Sequence, residues 1–214
     1  MSLQSRTVVV TGGAGGLGKA ISKAFLQSGA NVAIFDINEA LLSAVAEEFS
    51  SFGQLFIIAV DITNEALVTS AIKDTVAHFG DLDILVNNAG IMDIFDPIGD
   101  VKFELWDKVL AINLKAPAIL SKLAITHFTT REKGAEGGVI LNIGSAASLK
   151  GFTAGMLPII SFHLYYVFTL CYRSGIHSKQ ARSGWLDEEH GSLLSRCGCQ
   201  MQYADARSHE DKHH

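Results

Sequence analysis

Between Thr7 and Ile143, short apolar runs alternate with longer stretches in which apolar residues recur every three or four positions. The first run, Thr7-Val8-Val9-Val10, flows into Thr11-Gly12-Gly13-Ala14-Gly15-Gly16-Leu17-Gly18, and a helical spacing follows through Ala20, Ile21, Ala24, Phe25 and Leu26. That order predicts a strand, a glycine turn and a helix. A second run, Asn31 to Asp36, precedes a helix over 39–49, a strand over 55–60 that ends in Asp61-Ile62-Thr63, and a helix over 66–79. The strand Ile84-Leu85-Val86 leads into Asn87-Asn88-Ala89-Gly90. After a loop holding Pro97, a helical region runs from about Phe103 to Thr130, with breaks predicted near Asn113 and Pro117. A fifth strand, 138–143, ends in Gly144-Ser145. Short apolar strands alternating with helices are buried on both faces. The pattern therefore predicts an α/β class chain with a Rossmann-like, doubly wound parallel sheet, strand order 3-2-1-4-5, truncated after the fifth strand.

The glycine turn supplies the first candidate chemistry. It presents backbone N–H groups and the positive end of a helix to an anion, and glycine stands where a Cβ would block a dinucleotide pyrophosphate. Taken alone, the cluster fits an ordinary strand-to-helix turn as well. Asp36, 18 residues after Gly18 and at the end of the second strand, narrows the choice. An acid there can accept hydrogen bonds from both hydroxyls of an adenosine ribose and repels a 2′-phosphate, which favours NAD over NADP. It can also cap the following helix. Ligands of such sheets bind at the carboxyl ends of the strands, where Gly12, Asp36, Asp61, Asn87 and Ser145 all fall.

Taken together, Thr11, Gly12, Gly16 and Gly18, then Asp36, Asp61, Asn87-Asn88-Ala89-Gly90, Asn113 and Gly144-Ser145 resemble the short-chain dehydrogenase/reductase family over about residues 5–152. The resemblance implies an oxidoreductase acting on a small alcohol or ketone with NAD, and NADP as the poorer cofactor. The cofactor residues it implies are Thr11, Gly12, Gly15, Gly16, Leu17, Gly18, Asp36, Ile37, Asp61, Ile62, Asn88, Ala89 and Gly90. Asp61 and Ile62 would flank the adenine, and Asn87 to Gly90 would brace the central sheet. The catalytic candidates are Asn113, holding a proton-relay water, and Ser145, polarising the substrate oxygen. Without the resemblance, Ser145 is a serine at a strand end and Asn113 a helix-breaking amide. A cytoplasmic homo-oligomer is implied for the parental enzyme.

The family's chemistry also needs a tyrosine about a dozen residues after that serine and a lysine four residues further on. The lysine cation lowers the tyrosine pKa, so that the phenol exchanges a proton with the substrate oxygen near neutral pH. Here Pro158 stands 13 residues after Ser145, and Phe162 stands 17 after it. Four residues after Tyr165, Tyr166, Tyr172 and Tyr203 come Thr169, Leu170, Ile176 and Arg207. No Tyr-x-x-x-Lys occurs among the 214 residues, and this form is expected to be inactive.

Composition changes at the same point. All three cysteines, all four tyrosines and six of the eight histidines follow Gly155. The expected organisation is a nicotinamide-binding domain over 1–154 and a poorly ordered tail over 155–214 without a family match. Back-translated with permitted codons and read one nucleotide over, residues 176–191 can give YTASKHGVVGLTRSM, which contains the missing pair. In the same frame residues 196–212 can give GAGVRCNTPMPGVMRT, which resembles a sixth strand and a Pro-Gly cofactor segment of the family. Codons for Gly155-Met156-Leu157 can hold a splice-donor sequence and that for Ser174 an acceptor, and the excised length leaves a remainder of one nucleotide. Residues 155–174 therefore read as an untranslated insert and 175–214 as out-of-frame sequence. The transcript across codons 150 to 180 decides this reading.

The global numbers add exclusions. A net charge of −5 with 48% hydrophobic residues offers no basic face for nucleic acid. Residues 156–171 are apolar but too short to cross a bilayer, which takes ~20 residues. Met1 to Arg6 is polar and the following run too short for a signal peptide. No cysteine precedes Cys171, which fits a reducing compartment. Cys197, Cys199, His209, His213 and His214 match no zinc spacing, so no metal is expected.

Overall fold

The computed structural model describes residues 3–52, 54–92, 97–131, 137–144 and the backbone of 171–172. The chain builds β1 (Thr7–Thr11), α1 (Gly16–Gln27), β2 (Asn31–Asp36), α2 (Glu39–Glu48), β3 (Leu55–Ala59), α3 (Glu65–Phe79) and β4 (Ile84–Asn87). It continues through α4 (Phe103–Leu110), a π-helical turn (Ala111–Lys115), α5 (Ala116–Thr130), β5 (Gly138–Asn142) and β6 (Cys171–Tyr172). The first five strands run parallel in the order β3-β2-β1-β4-β5, as the apolar pattern predicts.

Side-chain alternation along the strands divides the core in two. Val8 and Val10 of β1, Val32 and Ile34 of β2, and Ile84 and Val86 of β4 face Leu26 of α1 and Leu42 and Val45 of α2. Val9, Ala33, Phe35 and Leu85 point the other way, toward Val68 and Ile72 of α3 and Leu120, Ala124 and Phe128 of α5. Successive residues of a strand point to opposite faces, so runs apolar at every position are what a sheet covered on both sides requires. Asn38 and Asn64 cap α2 and α3, accepting from the N–H groups of Leu41 and of Ala66 and Leu67. Gly80, with φ 87°, ends α3 in the left-handed conformation.

Two expectations change. The helical region from Phe103 to Thr130 is unbroken, because the chain absorbs Asn113 in one π-helical turn and Pro117 lies in the first turn of α5, where the hydrogen-bond ladder is already offset. This 28-residue stretch is long and apolar enough to cross a membrane by length and composition alone. Ala116, Leu120, Ala124 and Phe128, on one face of α5, lie fully buried in the core beside β4 and β5. The second change is at the sheet edge. Cys171–Tyr172 forms a short antiparallel sixth strand opposite Gly138 and Val139, a pairing that the residue pattern of the tail does not predict. The expected tail is otherwise outside the described residues.

A charged network ties the amino-terminal ends of the strands to the end of α5. Asp83 accepts from Arg6 (2.8 Å), from Arg131 (3.2 Å) and from the N–H of Thr7 (3.0 Å). Asp81 pairs with His127 (2.7 Å) and Arg131 (3.0 Å), and Arg131 also donates to the carbonyls of Leu82 and Gly137.

Candidate functional site

The carboxyl ends of β1, β2 and β4 come together around the glycine turn. Gly12 takes φ 61° and donates its N–H to the Phe35 carbonyl at 2.7 Å, which binds the turn to the end of β2. Gly18 lets α1 pass close to β1: a Cβ there would lie 2.1 Å from the Gly12 oxygen and 2.5 Å from Asn88 Nδ2. Gly15 and Gly16 are open instead. The nearest atom to a Cβ on Gly15 is Leu41 Cδ1 at 3.6 Å, and one on Gly16 would meet nothing within 4 Å.

Gly15 also begins α1 without a side-chain cap, and no acidic residue stands in the helix's first turn. Its first N–H groups and positive end therefore face outward with no side chain to satisfy them. A dinucleotide pyrophosphate fits this cradle, where side chains at Gly15 and Gly16 would intrude on it.

Asp36 stands between this turn and the start of α2. Its Oδ2 accepts from the Ala14 N–H at 3.1 Å and its Oδ1 from the Asn38 N–H at 3.0 Å. Ile37 beside it is 70% exposed, and Leu17 is exposed on the other side of the turn. Asp61, at the end of the β3 segment, is half-buried and accepts from the N–H (2.9 Å) and hydroxyl (2.7 Å) of Thr63, while Ile62 is buried.

Asn88 joins β4 to β1. Its Nδ2 donates to the carbonyls of Thr11 (2.9 Å) and Gly12 (3.2 Å). The Thr11 hydroxyl oxygen accepts from the N–H groups of Asn88 and Ala89 at 3.0 and 3.1 Å. Asn87 points into the sheet, donating to Asn142 Oδ1 of β5 at 2.8 Å and to the Ser121 hydroxyl of α5 at 3.3 Å. Asn142 and Ser121 escaped the reading of the sequence. Their signal was faint: a polar residue at the end of an apolar strand, and a serine four positions after Pro117 on a mostly apolar helix.

Asn113 faces the segment that follows Gly90. Its Oδ1 accepts from the Ile91 N–H at 2.9 Å and its Nδ2 donates to the Ile91 carbonyl at 2.8 Å. A Cβ on Gly90 would come within 3.3 Å of that amide. The π turn thus sets Asn113 to hold the loop after β4, and the side chain has one N–H and one lone pair left. Ser145 lies outside the described residues, next to Gly144 at the end of the β5 segment. The structure therefore brings together the turn, Asp36, Asn88, Ala89, Gly90 and Asn113 at the carboxyl end of the sheet. Among the described residues no three His, Cys, Asp or Glu side chains are grouped to hold a metal, and the tail cysteines and histidines lie outside them.

A family model described as short chain dehydrogenase matches residues 6–157. The short chain dehydrogenase/reductase dpfgG of Gibberella zeae is 49% identical over 158 residues, which are 74% of this chain and 58% of the relative. Its counterpart dpmpG of Macrophomina phaseolina is 44% identical over 156 residues, 72% of this chain and 88% of the relative. A solved structure of a protein assigned as a short-chain dehydrogenase from Novosphingobium aromaticivorans superposes with a TM-score of 0.71 at 27% identity, covering 76% of this chain and 61% of that one. The chain thus spans about three-fifths of the length of dpfgG and of the solved protein.

Proposed function

Because the chain belongs to the short-chain dehydrogenase family, whose members are oxidoreductases using a nicotinamide cofactor on small alcohols and ketones, we propose that it binds NAD and that this 214-residue form does not turn over. The observation that carries the cofactor choice is Asp36. Its carboxylate is fixed by the N–H groups of Ala14 and Asn38 beside the open glycine turn, where it can accept from ribose hydroxyls and would repel a 2′-phosphate.

NAD, when bound, would supply the hydride acceptor. Around it the turn from Gly12 to Gly18 would hold the pyrophosphate, and Asp36 and Ile37 the adenosine ribose. Asp61 and Ile62 would flank the adenine, and Asn88, Ala89 and Gly90 would back the cofactor along β4. Asn113 fixes the Ile91 backbone beside the reacting end, and Ser145 would polarise the substrate oxygen. The proton on that oxygen lacks the acceptor that the family resemblance implies, because no tyrosine stands four residues before a lysine. Orientation and cofactor binding remain, and general acid–base assistance is lost.

A second reading is a short, non-catalytic module that pairs with full-length subunits. What supports its short form is the relative dpmpG, 88% of which this chain covers. Calorimetric titration with each nicotinamide cofactor tests the assignment of Asp36. NAD should bind more tightly than NADP, and Asp36→Ala should narrow the difference. Equal affinity in the unmutated chain would sink it.

A further inference from the structure

We propose that Glu39 is a second cofactor-specificity residue, which together with Asp36 closes the start of α2 to a 2′-phosphate; this rests on the assignment of Asp36 to the adenosine ribose. Asp36 Oδ1 accepts from the N–H of Asn38, the residue that precedes α2. A ribose hydroxyl bonded to that carboxylate lies at the entrance to the helix, and a phosphate on the same hydroxyl would approach the helix's amino-terminal end. Such an end ordinarily attracts phosphate through its unpaired N–H groups and its dipole.

In α2 both sources of attraction are weakened. Asn38 Oδ1 takes the Leu41 N–H at 3.0 Å, and Glu39 places a carboxylate in the first turn. The start of α1, where the pyrophosphate would sit, has neither a side-chain cap nor an acid. The cations of α1 do not offset this, because Lys19 and Lys23 both pair with Glu48 at the opposite end of α2. The exposed Ile37 and Leu41 are apolar, and the exposed Asn38 between them offers an uncharged amide but no cation. A 2′-phosphate would therefore meet two carboxylates, a capped helix and apolar side chains.

It follows that removing Asp36 alone weakens NAD binding without conferring NADP binding. The test is calorimetric titration of NAD and NADP against the full chain, Asp36→Ala, Glu39→Gln and the double variant. Glu39 is exposed, so Glu39→Gln should leave the fold and the NAD affinity unchanged. The double variant should bind NADP about 5-fold more tightly than Asp36→Ala at low salt. That gain should vanish near 1 M salt, where the screening length falls to ~3 Å. If Asp36→Ala already binds NADP as tightly as the double variant, Glu39 has no part in specificity while the role of Asp36 stands. If the unmutated chain binds both cofactors equally, the assignment of Asp36 falls and this inference with it.

Discussion

Gly15 and Gly18 stand three residues apart and serve different purposes. At Gly18 the constraint is internal, since a Cβ would sit 2.1 Å from the Gly12 oxygen, an atom of the turn itself. At Gly15 the backbone is extended, with φ −138°, and an added methyl would touch only Leu41 at 3.6 Å. Gly18→Ala should therefore cost ~1–3 kcal/mol of stability by overpacking. Gly15→Ala should stay within ~0.5 kcal/mol of the unmutated chain and lose NAD affinity. Thermal unfolding and cofactor titration of the two variants separate the effects; an unstable Gly15→Ala that still binds NAD would reverse the assignment. The motif residues were legible because glycine, asparagine and aspartate appear at strand ends in a fixed order. The division of labour within the motif was not, because it depends on which neighbour each missing Cβ would strike. For the same reason Asn87 could be read as a brace, but its partners Asn142 and Ser121, 55 and 34 residues away, could not be named.

The helices show where periodicity informs and where it misleads. α2 and α3 lie within a residue of their predicted bounds, because caps and apolar spacing agree, whereas α1 starts at Gly16, inside the predicted glycine turn and without a side-chain cap. The region from Phe103 to Thr130 reads as interrupted, since asparagine and proline ordinarily break helices. Tertiary bonds outweigh that tendency: Asn113 satisfies both backbone groups of Ile91, and the π turn accommodates its displacement. The far end of α5 is fastened by Asp81, which pairs with His127 and Arg131. Burial pushes the Asp81 carboxyl up, but hydrogen bonds from His127, Arg131 and the Leu82 N–H outweigh it and hold the pKa below the usual carboxylate range. A folded-state pKa below the unfolded one contributes stability at pH values above the unfolded value. That contribution is lost as the pH falls through the folded value, here in the region below about pH 4. Asp81→Asn should therefore be less stable than the unmutated chain at pH 7 and lose less on acidification. Denaturant midpoints at pH 7 and pH 3 check this, and parallel losses in the two proteins would contradict it.

At the scale of the whole molecule, a parallel sheet covered on both faces was legible because each strand carries consecutive apolar residues, which point to both faces. The antiparallel β6 was not, since two residues at the end of an apolar stretch carry no strand pattern of their own. We propose that this chain carries the cofactor half of a dehydrogenase site and lacks the Tyr-x-x-x-Lys of the proton-transfer half. One sample of purified chain tests it: titrate NAD calorimetrically, then assay the same protein for NADH formation over a panel of secondary alcohols. Saturable binding of one NAD per chain, with turnover at background, is the predicted result. Turnover near the enzyme median of ~10 s⁻¹, or no saturable binding by a folded chain, would contradict it.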